Sequence, residues 1–532
     1  MDEFEGRMAR DTMVVTACTL ASRLTGFVRV LVAAAVLSSG PLGDTYHAAN
    51  MIPNLLFELV AGGVLQAVLV PSFVAARRRG GDAGLGEAAG AVAGAMVVVL
   101  GVIAVVAMAA APAVAWVLSA LEDDATLAAD KRSLITPMLL VFVPQIVFYG
   151  VGMVTSAALA ARGRFAAAAL APAVNNLVVI CCYLGFRRAR GGQPASLHLD
   201  AVEFALLAGG TTLAVIAFTA VPGVVLVLDG VRWRPRWAPR DPSLALLRAT
   251  IGWAMLSVVG TLVPMGAAMV LGSGAAGGVA VFSLAFTFFV LPHALFAVPV
   301  ATALAPRVAD TWQRGLHAET AEKVARSVQV VVPLLALGTA GLVALAWPIA
   351  HVVASLGQAG SQGPEPIAHA IVAFGPGLVG YGLAVVMTRV MFGLDQVRAT
   401  ARLVTVSALT GVGVMILTSI VMDDGDRAAA IALGYGAAQT VTAVLLGWRV
   451  RRLIDGPPVR RTGRIALGSL GAAGAAAVVM GAVQSRFGDD RLSSLSAIGV
   501  AGAAGVVVFV LALRAMAGVG PRGLVARGAG GG

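Results

Sequence analysis

The chain has 532 residues, of which 58% are hydrophobic and only 12% are charged, and its mean hydropathy is +0.89. A soluble globular domain carries about 25% charged residues, so this composition excludes a soluble enzyme and identifies an integral membrane protein. The net charge of +11 does not indicate a nucleic-acid partner. The arginines lie in short loops between apolar runs, where they set membrane topology.

A bilayer span needs about 20 mostly apolar residues, and about fourteen segments satisfy this criterion. They lie near 12–38, 45–75, 88–120, 133–161, 165–187, 200–228, 244–272, 277–306, 327–354, 367–393, 399–422, 427–449, 463–485 and 492–516. The sequence therefore predicts an all-α polytopic membrane protein with about fourteen transmembrane helices.

The loops between these spans alternate in charge. Even-numbered loops are basic, as in "ARRRGGD" and "VRWRPRWAPRD", whereas odd-numbered loops such as "SSGPLGD" and "LEDDATLAADKR" are mostly neutral or acidic. The fifth loop, "FRRARGG", is an exception. Because lysine and arginine are enriched in cytoplasmic loops, the pattern predicts that both termini are cytoplasmic.

The chain contains an internal repeat. The segment "VPQIVFYGVGMV" (143–154) matches "GPGLVGYGLAVV" (375–386), with Pro, Tyr and Gly in register at an offset of about 232 residues. A weaker match relates 65–75 to 301–310. The matches join the fourth span to the tenth and the second to the eighth, so each repeat holds six spans and the two repeats are parallel.

Parallel repeats of this kind typically build transporters with a site at the interface between the halves, which opens to each side in turn. The repeat predicts an N-terminal lobe at 1–230 and a C-terminal lobe at 231–455. The last two spans and a cytoplasmic tail occupy 456–532 and lie outside the repeat.

Two arginines, Arg23 and Arg29, interrupt the first apolar span in "SRLTGFVR". A central arginine costs about 2.5–3.5 kcal/mol on insertion scales, so each needs a partner. Six helical positions correspond to about 240°, so the two share a face only if Gly26 bends the helix. Glu58 and Asp44 of the second span could lock the first two helices by ion pairing. Alternatively, the arginines line a cationic cavity for an anionic substrate, since guanidinium binds phosphate oxygens bidentately.

Asn54 follows Pro53 in "MIPNLL" and either caps a broken helix or faces the cavity. The sequence contains no metal-ligand cluster, no phosphate-binding GxxxxGK[ST] loop and no nucleophile elbow. We therefore predict a transporter that is not an enzyme and uses no cofactor. Its energy would come from the membrane potential, worth about 2.3 kcal/mol per charge per 100 mV, or from a monovalent ion.

The segment 22–74 resembles the N-terminal signature of MurJ (MviN), the lipid II flippase family of the multidrug/oligosaccharidyl-lipid/polysaccharide exporter superfamily. The family pattern is approximately S-R-x-x-G-F-x-R, then D-A-F, then A-x-x-x-P-N-L-L, then F-x-P-x-F. Its elements correspond here to 22–29, 44–46, 53–56 and 70–73.

This resemblance implies two six-helix lobes around a central cationic cavity, and a groove for the lipid tail at the last two helices. It implies movement of undecaprenyl-diphosphate-linked disaccharide-pentapeptide from the cytoplasmic to the outer leaflet of the bacterial cell membrane. Arg23 and Arg29 match arginines thought to hold the diphosphate, and Asp44 matches a family acidic residue. The implied partners are a polyprenyl-diphosphate-linked glycan, the lipid bilayer and the cell-wall synthesis machinery.

The chain departs from the family pattern at Phe57 and Thr287, where the family carries arginines, as a divergent paralogue would. Four hypotheses follow. We favour a lipid II flippase that works by alternating access. The others are a flippase for another polyprenyl-linked glycan, such as a teichoic acid or exopolysaccharide precursor, a cation-coupled small-molecule exporter with an ion site at Glu58, and a non-transporting scaffold for cell-wall synthesis.

Overall fold

A computed structural model of the chain describes residues 2–37, 40–61, 64–194, 196–238, 240–241, 245–356, 363–454 and 459–518. Only the backbone is described for 2–13, 15–16, 58–61, 64–68, 245–255 and 459–460. The described residues are almost entirely helical and contain no β-strand. Lipid offers no hydrogen bonds to the backbone, so each apolar segment satisfies its own amides and carbonyls as a helix.

Nine helices and one π-helical turn precede residue 230. They are α1 (Asp2–Leu37), α2 (Pro41–Ala61), α3 (Val64–Ala109), α4 (Ala111–Leu118), α5 (Ala125–Phe142), α6 (Gln145–Ala161), α7 (Ala166–Ala189), α8 (Ala201–Phe204), the π turn Ala205–Gly209 and α9 (Gly210–Leu228). Gly80 and Gly81 lie inside α3 with non-helical backbone angles (Gly81 has φ 60°), so a kink divides that helix beside the basic run 77–79.

Eleven further helices follow among the described residues. They are α10 (Ala245–Gly272), α11 (Gly278–Pro292), the π turn His293–Ala297, α12 (Val298–Gln313), α13 (His317–Ala344), α14 (Ala346–Leu356), α15 (Glu365–Phe374), α16 (Gly377–Gly393), α17 (Val397–Val421), α18 (Arg427–Leu453), α19 (Val459–Gln484) and α20 (Arg491–Ala517).

Within the described part of the chain, eleven helical segments are long and apolar enough to cross a membrane, or twelve if the pair α15 and α16 is one bent span. Some of these segments combine consecutive helices, such as α5 with α6 and α11 with α12. Side chains are described for only 41–57 of α2 and 256–272 of α10, so neither helix is assessed at its full length. The predicted all-α polytopic architecture is confirmed. The count of fourteen spans and the cytoplasmic position of both termini stay predictions.

Two predicted spans are broken at the prolines of the internal repeat. Pro144 separates α5 from α6, and Pro376 separates α15 from α16 with a bend of 46°. Proline has no backbone N–H and its ring crowds the preceding turn, so a helix ends or bends there. The repeat therefore marks a break in the same place in both halves.

The chain divides into two compact units, Met1–Val258 and Val259–Gly532, with the boundary inside α10. In the first unit, α2 packs on α5, α3 on α6, α6 on α9 and α7 on α9. In the second unit, α11 packs on α15, α13 on α16, α16 on α18 and α17 on α18. The recurring pairs bear out the internal repeat, while the predicted boundaries at 230/231 and 455/456 stay predictions.

The helices α19 and α20 pack on each other and on α13 in the second unit. Their contact is built from small and aromatic side chains, among them Ala472, Ala476 and Phe509, which meet Ala336 and Ala340 of α13. Alanine lets helix backbones approach closely where lipid supplies no hydrophobic driving force. The predicted extra pair of helices is thus attached to one unit, and the lipid-tail groove that the resemblance implies stays a prediction.

The acidic loop before α5 folds around a buried lysine. Lys131 is 2% exposed and its ammonium bonds the carboxylate of Glu122. Asp124 caps α5 by accepting from the amide of Thr126 at 2.8 Å. The hydroxyl of Thr126, followed by backbone amides, holds the pKa of the Asp124 carboxyl below its usual value.

Replacing Glu122 with glutamine is expected to destabilise the first unit, because it leaves the Lys131 ammonium buried without a counter-charge. Breaking one side of a buried pair costs about 3–5 kcal/mol. The melting temperature of the purified chain should fall by several degrees, and the double variant Glu122→Leu with Lys131→Met should recover most of the loss. A Glu122→Gln protein that melts like the parent would show that the pair contributes nothing.

Candidate functional site

The guanidinium of Arg29 lies among three other helices of the first unit. Arg29 is half-buried on α1, and its charge acts on Tyr46 and His47 of α2, on Tyr149 of α6 and on Tyr183 of α7. One arginine of the opening motif therefore lies close enough to four side chains that can donate or accept hydrogen bonds for its charge to act on them.

Three hydroxyl groups form a directed chain beside Arg29. Tyr183 Oη donates to Tyr46 Oη at 2.9 Å, and Tyr46 Oη lies 2.8 Å from Thr211 Oγ1. Thr211 Oγ1 donates its only proton to the carbonyl of Leu207 at 2.7 Å, so Tyr46 must donate to Thr211. The lone pairs of Tyr183 remain at the start of the chain. The network fixes both phenol rings, which are buried, at the side of the guanidinium.

The structure separates Arg23 from Arg29. The helix α1 runs unbroken through Gly26, so the two arginines keep the angular separation of an ideal helix. Asn176 of α7 donates to the carbonyl of Ser22 at 3.2 Å and sits beside Gly26, where a Cβ would lie 3.3 Å from its amide nitrogen. Arg23 is exposed, and Gly26 serves the contact between α1 and α7 without bending the helix.

The other predicted site residues lie along α2. Asp44 is 2% exposed in its first turn, two residues before Tyr46. Asn54 is exposed, and its amide donates to the Asn50 carbonyl of its own helix at 2.9 Å. The side chain of Glu58 lies outside the described residues, so the predicted pairing of Glu58 with an arginine stays a prediction. Arg29 is thus near the N-terminal part of α2, which carries Asp44, Tyr46 and His47.

Sequence reasoning missed the tyrosines around Arg29. The chain has only five tyrosines. Three of them, Tyr46, Tyr149 and Tyr183, surround Arg29, and the other two, Tyr381 and Tyr435, lie 6.2 Å apart between ring centroids in the second unit. Their scarcity in a chain dominated by alanine, valine, leucine and glycine was the available signal. A rare polar aromatic residue inside an apolar span is a stronger indication of a site than its hydropathy suggests.

The two units contain an equivalent aromatic pair. In the first unit Phe57 packs on Tyr149 with ring centroids 4.9 Å apart, and in the second Phe289 packs on Tyr381 at 5.3 Å. Both residues of the second pair follow those of the first by the offset of the internal repeat. Tyr381 also stacks on His293, at 4.0 Å between centroids.

The family model described as lipid II flippase MurJ matches residues 33–489 of this chain. The chain belongs to the MurJ family. The resemblance that the N-terminal motif predicts is therefore confirmed. A MurJ chain is a transporter and not an enzyme, it is a multi-pass protein of the inner membrane, and its substrate class is a polyprenyl-linked glycan.

Individual MurJ relatives agree with the family match. The chain is 27% identical over 441 residues to a probable lipid II flippase MurJ of Rhizobium tropici, covering 82% of this chain and 80% of the relative. It is 23% identical over 459 residues to the lipid II flippase MurJ of Burkholderia cenocepacia, covering 84% and 85%.

The fold is similar to that of solved MurJ and multidrug exporter structures. A lipid II flippase MurJ in an inward closed conformation superposes with a TM-score of 0.71 at 17% identity, covering 94% of this chain and 98% of that one. An inward-facing multidrug resistance MATE family transporter of the MOP superfamily gives 0.63 at 15% identity, covering 83% and 98%. These likenesses show a shared fold.

At the two positions where the family resemblance leads us to expect arginines, the side chains are packed or bonded to their own helix. Phe57 contacts Tyr149 as described, and the ring of Tyr149 lies 5.8 Å from that of Phe218. Thr287 Oγ1 donates to the Ser283 carbonyl one turn back on its own helix, at 3.1 Å. Neither position offers a cation, which leaves Arg29 as the guanidinium of the described site in the first unit.

Proposed function

We propose that the chain moves lipid II from the cytoplasmic to the outer leaflet by alternating access, and that Arg29 binds its diphosphate. The observation that carries the proposal is the placement of Arg29 among Tyr46, His47, Tyr149 and Tyr183. A guanidinium can donate two parallel hydrogen bonds to phosphate oxygens. The hydroxyl of Tyr149 can add a neutral donor, whereas the hydroxyl protons of Tyr46 and Tyr183 are used within the hydroxyl chain.

The buried hydroxyl chain supports this proposal because it orients the site before substrate arrives. Tyr46 is held by Tyr183 on one side and by Thr211 on the other. Side chains that are already fixed lose little conformational entropy when they bind a ligand. Arg29 keeps part of its surface accessible, which a residue used only to lock two helices would not need.

We further propose that transport needs no cofactor. The empty carrier holds the positive charge of Arg29 inside the membrane, and the membrane potential is worth about 2.3 kcal/mol for each charge moved through 100 mV. The potential can therefore return the empty carrier to its inward state, and a monovalent ion is the alternative source. Contact with the cell-wall synthesis machinery on the outer side would remove the delivered substrate.

Rescue of a bacterium depleted of its own lipid II flippase tests the proposed function. We expect this chain to restore growth and to raise the fraction of lipid II that reaches the outer leaflet, measured by its accessibility to an externally added lipid II-cleaving enzyme. If the chain inserts and accumulates normally but no lipid II appears outside, the substrate is another polyprenyl-linked glycan. The loss of cations at Phe57 and Thr287 would then be the reason.

A further inference from the structure

An extended, arginine-rich segment is fastened along α3 in the first unit. Residues 231–238, named here the arginine strap, follow α9 and contain no regular secondary structure. Three glycines of α3 each face one strap carbonyl: Gly86 faces Arg232, Gly90 faces Arg234 and Gly94 faces Arg236. A Cβ on any of the three glycines would lie 2.0–2.4 Å from that oxygen, so a side chain cannot occupy these positions while the strap is in place.

The spacing of the glycines matches the spacing of the strap. Four residues of a helix rise about 6 Å, and two residues of extended chain advance about 6.5 Å. Glycine at every fourth position of α3 therefore meets every second carbonyl of the strap. The amide of Arg236 also donates to the carbonyl of Gly90 at 2.9 Å. The backbone of the strap is held against α3, and its long side chains are left to the outside.

The strap presents a cationic and aromatic surface. Arg232, Arg234 and Arg236 are exposed, and the Trp237 side chain is 59% exposed. Arg236 pairs with Asp241 at 3.3 Å and also reaches the carbonyl of Glu87. No carboxylate of the described residues forms an ion pair with Arg232 or Arg234. The indole N–H of Trp233 is buried and, in the described structure, has no hydrogen-bond acceptor.

The strap lies where two lipid-facing surfaces begin. On α3 the exposed apolar residues start directly after Gly94, with Val97, Val98 and Val99. On α9 the last residue before the loop, Leu228, is 79% exposed. Large exposed apolar side chains at these positions are typical of contact with acyl chains, so the strap occupies the level of the headgroups. Tryptophan is enriched at this level, and arginine is attracted there by anionic lipids.

We propose that the arginine strap is a binding site for anionic phospholipid headgroups, in which Arg232 and Arg234 hold the phosphate and Trp237 enters the interface. By the predicted orientation the headgroups belong to the cytoplasmic leaflet. The glycines of α3 keep the strap at a fixed depth, so bound lipid ties the loop after α9 to the membrane surface. The proposal does not depend on the substrate being lipid II.

The test counts the lipid retained by the full chain. The protein is purified from nanodiscs of mixed phosphatidylcholine and phosphatidylglycerol into mild detergent, and native mass spectrometry counts the retained phosphatidylglycerol. The double variant R232Q/R234Q is expected to weaken phosphatidylglycerol binding by about five-fold per arginine at low salt. The matched control R187Q/R188Q removes two exposed arginines at the end of α7 and should retain the parental amount.

A second variant separates position from charge. Gly94→Ala keeps every arginine but places a Cβ 2.0 Å from the Arg236 carbonyl, so it should lift that end of the strap and reduce retention at unchanged net charge. Equal retention by R232Q/R234Q and the parent would overturn the proposal, as would equal losses in R232Q/R234Q and R187Q/R188Q. Displacement of phosphatidylglycerol by millimolar inorganic phosphate would also overturn it, because the strap would then be a site for free phosphate.

Discussion

Replacing Arg29 with glutamine is expected to abolish lipid II transport, whereas replacing Arg23 with glutamine is expected to reduce it far less. The charge of Arg29 acts on two residues of α2 and on one each of α6 and α7, while Arg23 is exposed on another face of α1. Two charge-assisted hydrogen bonds to a diphosphate are worth about 1.5–3 kcal/mol each. Their loss should lower the rate of lipid II appearance at the outer leaflet by at least about 100-fold.

The pair of variants is matched, since each removes one guanidinium from the same helix and keeps an amide of similar length. Membrane abundance of both proteins must equal that of the parent before rates are compared. Arg29→Lys keeps the charge but loses the bidentate geometry, so an intermediate rate is expected for it. Rescue by Arg29→Gln at the parental rate would remove Arg29 from the substrate site. Equal losses in both variants would show that the two arginines hold the substrate together, as the family resemblance implies.

The fold could be predicted from the sequence because few kinds of structure can span a membrane. Apolar runs of sufficient length must be helices, and the repeat around Tyr149 and Tyr381 indicates two similar halves. The predicted bounds were less accurate, since the second predicted span runs near 45–75 whereas α2 covers Pro41–Ala61. The breaks at Pro144 and Pro376 also divide single predicted spans into two helices each.

The site could be predicted only in part. A charged residue inside an apolar run is visible in the sequence, which is how Arg29 was found. Its surroundings are not visible, because Tyr46 and Tyr183 are 137 positions apart and meet only through the packing of α2 and α7. The sequence also does not show which of Arg23 and Arg29 faces the site. The two arginines differ because only one face of α1 contacts α7. The amide of Asn176 on α7 marks that face, since it donates to the Ser22 carbonyl and to Thr25 Oγ1.

The side chain of Phe57 is packed, although the family resemblance implies an arginine at this position. Its ring packs on Tyr149, and Phe289 repeats the contact on Tyr381 in the second unit. An aromatic pair of this kind contributes about 0.5–1.5 kcal/mol beyond its buried area. Where the family resemblance implies a cation, the chain therefore has a ring that packs on Tyr149. This difference concentrates the positive charge of the described site on one arginine, and it makes the Arg29 variant the decisive one.

Replacing Gly377 with leucine is expected to prevent the second unit from folding. A Cβ at this position would lie 2.4 Å from the Cα of Gly436, so the obstacle is the backbone of α18, which cannot rotate aside. Overpacking usually costs about 1–3 kcal/mol, and here α16 and α18 would have to separate along their contact. The monodisperse fraction of the purified chain, measured by size-exclusion chromatography, should fall several-fold.

The same substitution at Gly413 of α17 is the matched control, because that glycine is exposed and has no heavy atom within 4 Å of its added Cβ. Leucine has a higher helix propensity than glycine by nearly 1 kcal/mol, so Gly413→Leu should fold at least as well as the parent. The repeat explains why Gly377 is sensitive. Its counterpart in the first unit is Gln145, which also uses this turn for a helix contact by donating to Thr212 Oγ1 at 2.7 Å. A Gly377→Leu protein that remains monodisperse would show that α16 and α18 are not in contact at this turn.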